Sequence, residues 1–287
     1  MTNISASLVK ELRERTGMGM MDCKQALLKA EGNIELAIEE LRKSSGIKAE
    51  KKADRSAADG VIQVIQDDDM IFMAEINCET DFVAKDDSFI SFSEEVIKAL
   101  SIEPSKNLKE LMEGELEDRR EKLVQKLGEN IVVRRIYRSL EGVSNTGVYL
   151  HSNKKIACVV CLEGGNKDIA KEIAMHAAAT SPSAISPEDI PKELIEKERE
   201  IYIAQSSETN KPQEIINKMV EGKIKKFINE VSLSEQQFVK DPDKKIRDIL
   251  SNNDSKVLEF RRFEVGEGVE IDQTDFATEV MSQLNKS

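Results

Sequence analysis

Near residue 60 the spacing of apolar residues changes from one in three or four to one in two, so the chain can be neither all helix nor all sheet. Before that point Ile4, Leu8, Val9 and Leu12 recur at helical spacing, with Ser5 placed to cap the helix and Gly17 to stop it. Cys23, Ala26, Leu27 and Ala30 make a second stripe closed by Gly32. Asn33 then caps a third, carrying Ile34, Ala37, Ile38 and Leu41. Three short helices predict a small bundle over residues 1–46. Residues 42–55 hold six Lys or Arg against two acids, with Ser44, Ser45 and Gly46 among them, and this predicts a solvated linker spanning 47–59.

Beyond the linker, residues 61–65 and 71–78 alternate as two strands around a turn at Asp67, Asp68 and Asp69. Residues 80–85 lead to Asp86 or Asp87, either of which can cap a helix carrying Phe89, Phe92, Val96 and Leu100. A second, charged helix holds Leu108, Leu111, Leu116, Leu123 and Leu127 before Gly128, and Ile131, Val132, Val133, Ile136 and Tyr137 form a third strand. The same order returns in Gly147, Val148, Tyr149 and Leu150, then 156–162, then Phe260, Arg261, Arg262 and Phe263, which echo Val133, Arg134, Arg135 and Ile136. The expected fold class is therefore α+β, with two related subdomains built on antiparallel sheets. The first covers 60–140 and the second 141–182 plus 233–266. Between the halves of the second, Pro191 and Pro212 open two helices whose apolar stripes face each other across residues 206–211, predicting an inserted coiled-coil hairpin over 183–232. Thr274 caps a last helix with Phe276, Ala277, Val280, Met281 and Leu284, within a C-terminal module at 267–287.

Composition narrows the chemistry. Lys and Arg number 42 against 54 Asp and Glu, a net charge of −12, which argues against direct binding of duplex nucleic acid. The basic run at 42–55 lacks interleaved aromatics and reads as linker rather than RNA contact. No apolar run approaches the roughly 20 residues that cross a bilayer, so a cytoplasmic protein with no membrane partner is expected. The only His residues are His151 and His176, and the four Cys include one CxxC pair, Cys158 and Cys161. That pair falls within a predicted strand, where residues three apart point to opposite faces, so buried thiols are expected rather than a metal or redox site. His176, in an apolar helix, reads as a satisfied helix histidine, and His151 as an exposed residue at a strand end. No stretch fits GxxxxGK[ST], and Gly17 with Gly19 supplies only the start of GxGxxG with no strand before it. A non-enzymatic protein without metal or cofactor is expected. No feature of the sequence selects an oligomeric state.

Two signals stand outside a pure core. Met20 and Met21 are consecutive in a glycine-hinged loop entering a helix; both cannot face one small core, and Met suits adaptable protein contacts, although one of them could fill a core gap. In Thr80, Asp81, Phe82 and Val83 a large aromatic lies beside a carboxylate between strand and helix, which fits a core anchor as well as a projecting wedge.

Three stretches then resemble one family. These are Thr16 and Gly17 with Gly19, Met20, Met21, Asp22, Cys23 and Lys24; Cys78, Glu79, Thr80, Asp81, Phe82 and Val83; and Phe263, Glu264, Val265, Gly266, Glu267 and Gly268. Together they resemble bacterial elongation factor Ts, over essentially the whole chain. The resemblance implies a ubiquitin-associated-like N-terminal bundle, the two-subdomain core, the hairpin and the C-terminal module. It implies a guanine nucleotide exchange factor whose partner is elongation factor Tu, in its GDP-bound and nucleotide-free forms. By the same resemblance Thr80, Asp81, Phe82 and Val83 push between helices of the G domain and dislodge Mg²⁺, with Phe82 as the wedge. Arg13, Met20, Met21 and Lys24 grip another G-domain helix, and His151 approaches the phosphate-loop side. Ser152 and Asn153 follow His151 where the family often has Gly and a small residue. The competing reading is a polypeptide-binding module that uses the bundle and its Met loop.

Overall fold

The computed structural model describes residues 4–67, 70–207 and 212–270. Asp68 and Asp69 of the expected turn, most of the loop between the hairpin helices, and the helix expected after Thr274 lie outside the described residues. Contacts divide the chain into two compact units, one formed by Met1–Ile65, Phe72–Ile136 and Glu264–Ser287, the other by Gln66–Ile71 and Tyr137–Phe263. With ten helices and small sheets of two or three strands among the described residues, the fold is α+β.

In the first unit, α1 (Ala6–Thr16), α2 (Met20–Lys29) and α3 (Ile34–Glu50) pack around Val9, Leu12, Met18, Cys23, Leu27 and Leu41. Ser5 accepts from the Leu8 amide and Asn33 from the Leu36 amide, each satisfying an orphan donor of its helix. The third helix runs on to Glu50, through the charge run that predicts a linker. The physical reason is lateral packing. Ser45 and Ala49 are buried, Ser45 donates to Gln125, and a Cβ on Gly46 would come within 3.1 Å of the Glu121 carboxylate. The small residues at 44–46 thus let a second helix approach closely, and the charges occupy the outer face.

The strands β1 (Asp59–Asp67) and β2 (Met70–Cys78) follow the alternation. Asp86 caps α4 (Asp87–Ile102), which buries Phe89, Phe92, Val96, Ile97 and Leu100 on one face and accepts a hydrogen bond at Ser93 from Gln63 of β1. Where one charged helix is expected the structure has two, α5 (Leu108–Met112) and α6 (Glu115–Leu127), separated at Gly114, whose φ of 83° no helix accommodates. β3 (Val132–Arg138) then pairs with β2, giving the order β1-β2-β3.

The third family-like stretch is anchored on this unit. Glu75 of β2, with no exposed side-chain surface, receives Arg134 at 3.0 Å, Arg135 at 2.5 Å and the Gly266 amide at 2.9 Å. A buried carboxylate is tolerable only when so compensated. Gly266 has φ 76°, and a Cβ there would overlap the Ala58 carbonyl, so this position admits glycine alone.

In the second unit, β4 (Asn145–Leu150) pairs antiparallel with β5 (Ile156–Gly164), with Asn145 opposite Leu162 and Leu150 opposite Ala157. α7 (Lys167–Thr180) covers both strands. Cys158 lies in the core formed with α7 and its thiol is pushed up to about 12 by burial, while Cys161, also buried, accepts from Thr146. None of the four cysteines is in a disulfide. The helices α8 (Lys192–Ser207) and α9 (Gln213–Val231) pack on each other around Ile216, Val220 and Ile224, with Ile195, Tyr202 and Ile228 at the margin. Pro212 sits at the cap position of α9 itself rather than just inside the helix. A two-stranded ribbon, β6 (Gln237–Phe238) with β7 (Asp241–Lys245), and a short helix α10 (Ile246–Asn252) follow, and β8 (Ser255–Glu264) completes the order β4-β5-β8.

Candidate functional site

After Cys78 the chain leaves β2 and must turn into α4 within eight residues. It does so through a 3-10 turn, Val83–Lys85, in which Ala84 donates to the Thr80 carbonyl and Lys85 to that of Phe82. This geometry sorts the side chains. Val83 and Ala84 point inward and are buried, whereas Phe82 is 81% exposed. Exposing a Phe forgoes the roughly 1.5–3 kcal/mol that burying it would contribute, so the ring is not a core anchor. Beside it Asp81 and Lys85 pair at 2.7 Å, and that hydrogen bond holds the Lys85 ammonium above its ordinary pKa.

The turn is held from behind with the help of Glu129 and Asn130, which the sequence does not flag. Glu129, just past the end of α6, accepts from the Glu79 amide at 3.1 Å, the Thr80 amide at 3.0 Å and the Thr80 hydroxyl at 2.6 Å. In return the Glu79 carboxylate accepts from the Asn130 amide at 2.6 Å and pairs with Arg55 at 3.5 Å. The Asn130 side chain reaches on to the carbonyls of Ala53 and Arg55. Glu129 thus clasps the backbone of Glu79 and Thr80, Glu79 that of Asn130, and Phe82 projects from a fixed base.

Met20 and Met21 open α2, 53% and 64% exposed, while Met18 takes the core position. Neither of the pair is a gap-filler. Arg13 and Lys24 are exposed on α1 and α2 of the same bundle. Asp22, next to the pair, receives Lys48 at 2.7 Å and the Gln125 amide of α6 at 3.4 Å, which ties this end of α2 to α3 and α6.

His151 belongs to the second unit. It lies exposed in the turn after β4, where its Nδ1 is 2.9 Å from Asn153 Oδ1, and it lines a cavity of about 400 Å³ with Tyr149, Ile156, Met175 and Val239. His176 is different. Its Nδ1 accepts from the Val239 amide at 3.3 Å and its Nε2 faces Gln236 Oε1 at 2.9 Å; Gln236 spends its own amide hydrogens on the Glu230 carbonyl, so Nε2 is the donor. Burial lowers its pKa, and it is a neutral core residue. Among the described residues no group of three or more His, Cys, Asp or Glu is placed to hold a metal ion. No helix among them is long and apolar enough to cross a membrane.

The family described as Elongation factor TS matches residues 79–267, a span that opens at Glu79 of the clasp and closes at Glu267. The chain is 53% identical over 286 residues to an elongation factor Ts from Hahella chejuensis, covering 99% of each chain. The chain belongs to the elongation factor Ts family. A second elongation factor Ts, from Marinobacter nauticus, is 53% identical over 98% of this chain and 97% of its own, and one from Francisella tularensis subsp. novicida is 49% identical over 99% of each. These elongation factor Ts relatives extend over the Met20 and Met21 bundle as well as the Phe82 turn.

Proposed function

We propose that this chain is a guanine nucleotide exchange factor that acts on elongation factor Tu during translation elongation in the cytoplasm, with Thr80, Asp81, Phe82 and Val83 displacing Mg²⁺ and so promoting GDP release. A GTPase holds its nucleotide through backbone amides on the phosphates and through Mg²⁺. A partner that binds the empty form more tightly than the GDP-bound form weakens GDP binding by the same factor, whatever covalent chemistry it lacks. Phe82 carries this reading, because a ring left 81% exposed on a braced turn is suited to enter a partner and contributes little to its own fold. Arg13, Met20, Met21 and Lys24 supply the grip on a G-domain helix, and His151 a further contact. The bundle at 1–46 is of the ubiquitin-associated type, and the hairpin at 183–232 is a separable coiled-coil arm on a core of two related subdomains.

The test is release of fluorescent GDP from elongation factor Tu with and without this protein. Release accelerated at substoichiometric protein supports the reading. Unaccelerated release, with capture of unrelated peptides by the bundle, favours the exposed Met20 and Met21 as a polypeptide-binding surface instead.

A further inference from the structure

We infer that Glu129 is a positioning residue for nucleotide exchange, holding the turn that presents Phe82 in the one conformation that can act on the partner. This rests on the reading of Phe82 as the wedge. Three hydrogen bonds converge on the Glu129 carboxylate from two successive residues, Glu79 and Thr80, at the point where the chain leaves β2. Two of the donors are backbone amides that no strand or helix partner serves, and the third is the hydroxyl that itself accepts from the Val83 amide at 3.4 Å. Removing the carboxylate therefore frees both the entry to the turn and its internal cap. Bonds to a charged acceptor are about twice as strong as neutral ones, so this single side chain dominates the local order.

The position of Glu129 has its own support. It follows Gly128, the left-handed cap of α6, whose carbonyl receives Lys52, and Asn130 beyond it is pinned by Glu79 and by the 53–55 carbonyls. The carboxylate is thus delivered from a segment fixed on both sides. With Phe82 81% exposed, little of it packs against the rest of the protein to hold it otherwise. Without the clasp an exposed ring on a loose turn samples many orientations, and misplacement of a working group by about 1 Å can cost two orders of magnitude in rate.

The experiment compares Glu129→Ala, Glu129→Gln and Phe82→Ala in the full chain by three readouts: maximal stimulated release of fluorescent GDP, the protein concentration at half-maximal stimulation, and amide hydrogen exchange at Glu79 and Thr80. For Glu129→Ala the maximal rate should fall by about tenfold or more, with the half-maximal concentration little changed and both amides exchanging faster. Glu129→Gln, whose carbonyl oxygen can still accept from both amides and whose amide can donate to the Thr80 hydroxyl, should recover part of the rate. Unchanged amide exchange in Glu129→Ala would overturn the clasp itself. Faster amides with full exchange activity, while Phe82→Ala is inactive, would overturn the positioning role and leave the wedge standing. Full activity in Phe82→Ala would overturn the wedge, and the role of Glu129 with it. A rate loss that Glu129→Gln shares fully, together with a lowered melting temperature in both, would show a general structural role instead.

Discussion

Phe82 and Val83, adjacent in the chain, lie in opposite environments: the Phe82 ring is 81% exposed and the Val83 side chain 9%. A strand that ended without a turn would also alternate them, but here the later apolar residues Ala84 and Phe89 are buried too, so the 3-10 turn sets Phe82 apart from the apolar residues that follow it.

Phe82→Ala should accordingly leave thermal stability within about 0.5 kcal/mol of wild type while stimulated GDP release falls by tenfold or more, a loss of about 1.4 kcal/mol or greater. Val83→Ala should do the reverse, lowering stability by roughly 1–2 kcal/mol through the lost buried methyls. Thermal melts and nucleotide-release rates on both variants check this, and a large stability loss in Phe82→Ala alone would make the ring a core anchor after all.

The bundle separates its methionines in the same way. Replacing Met20 and Met21 together by Ala should barely change melting but raise the concentration needed for half-maximal exchange, by about tenfold if the pair is a binding hot spot. Met18→Ala should instead destabilise the bundle by about 2–5 kcal/mol. A titration of exchange rate against protein concentration decides the first claim, and an unchanged midpoint for the double variant would remove the grip from this surface.

His176 makes stability depend on pH. Its native pKa lies below the ordinary 6.5 because burial disfavours the imidazolium, and protonating Nδ1 would set it against the Val239 donor. Between the native and unfolded values the unfolded chain binds the extra proton, so stability rises with pH across that window. The contribution is present in full above about 6.5 and is lost as pH falls through the native value. Melting temperatures from pH 7 to pH 5 should therefore drop more steeply for wild type than for His176→Gln, whose amide can donate to Gln236 and accept from Val239. Parallel curves for the two proteins would show that other groups set the acid limit.

The hairpin has its own apolar cluster, and its base is tied down: Ser183 donates to the Val231 carbonyl at 2.9 Å, Leu233 to that of Ala184 at 2.9 Å, and Gln236 to that of Glu230. Excision of residues 191–227 with a short linker should therefore preserve a single cooperative melt, followed by circular dichroism. A broad or absent transition would make the arm part of the core.

What could be read from the sequence follows the range of the interactions involved. The caps at Ser5, Asn33 and Asp86 are visible because each acts within three residues, and β1 and β2 because alternation is local. The extension of α3 to Glu50 is hidden because its cause, the approach of α6, lies some 75 residues away in the chain, and a charge run looks the same on a helix face as in a linker. The break at Gly114 is masked by leucines that keep helical spacing on both sides of it. At the site, Thr80, Asp81, Phe82 and Val83 can be singled out, but not which of them faces outward, since that depends on the turn. Glu129 carries no local signal at all; only its meeting with Thr80, 49 positions earlier, gives it meaning.

The end of α6 also limits how this chain can vary. Gln125 faces Ser45 and Asp22 of the bundle, and Glu129, four residues on, faces the turn that carries Phe82. An inserted residue in a helix swings everything beyond it by about 100° and advances it about 1.5 Å. Helix ends and the loops after them ordinarily absorb length changes freely. Between 125 and 129 that freedom is withdrawn, because a single added or missing residue would leave one of the two engagements out of phase with the other. This short stretch should be among the least elastic in the molecule, with its length under tighter constraint than its composition.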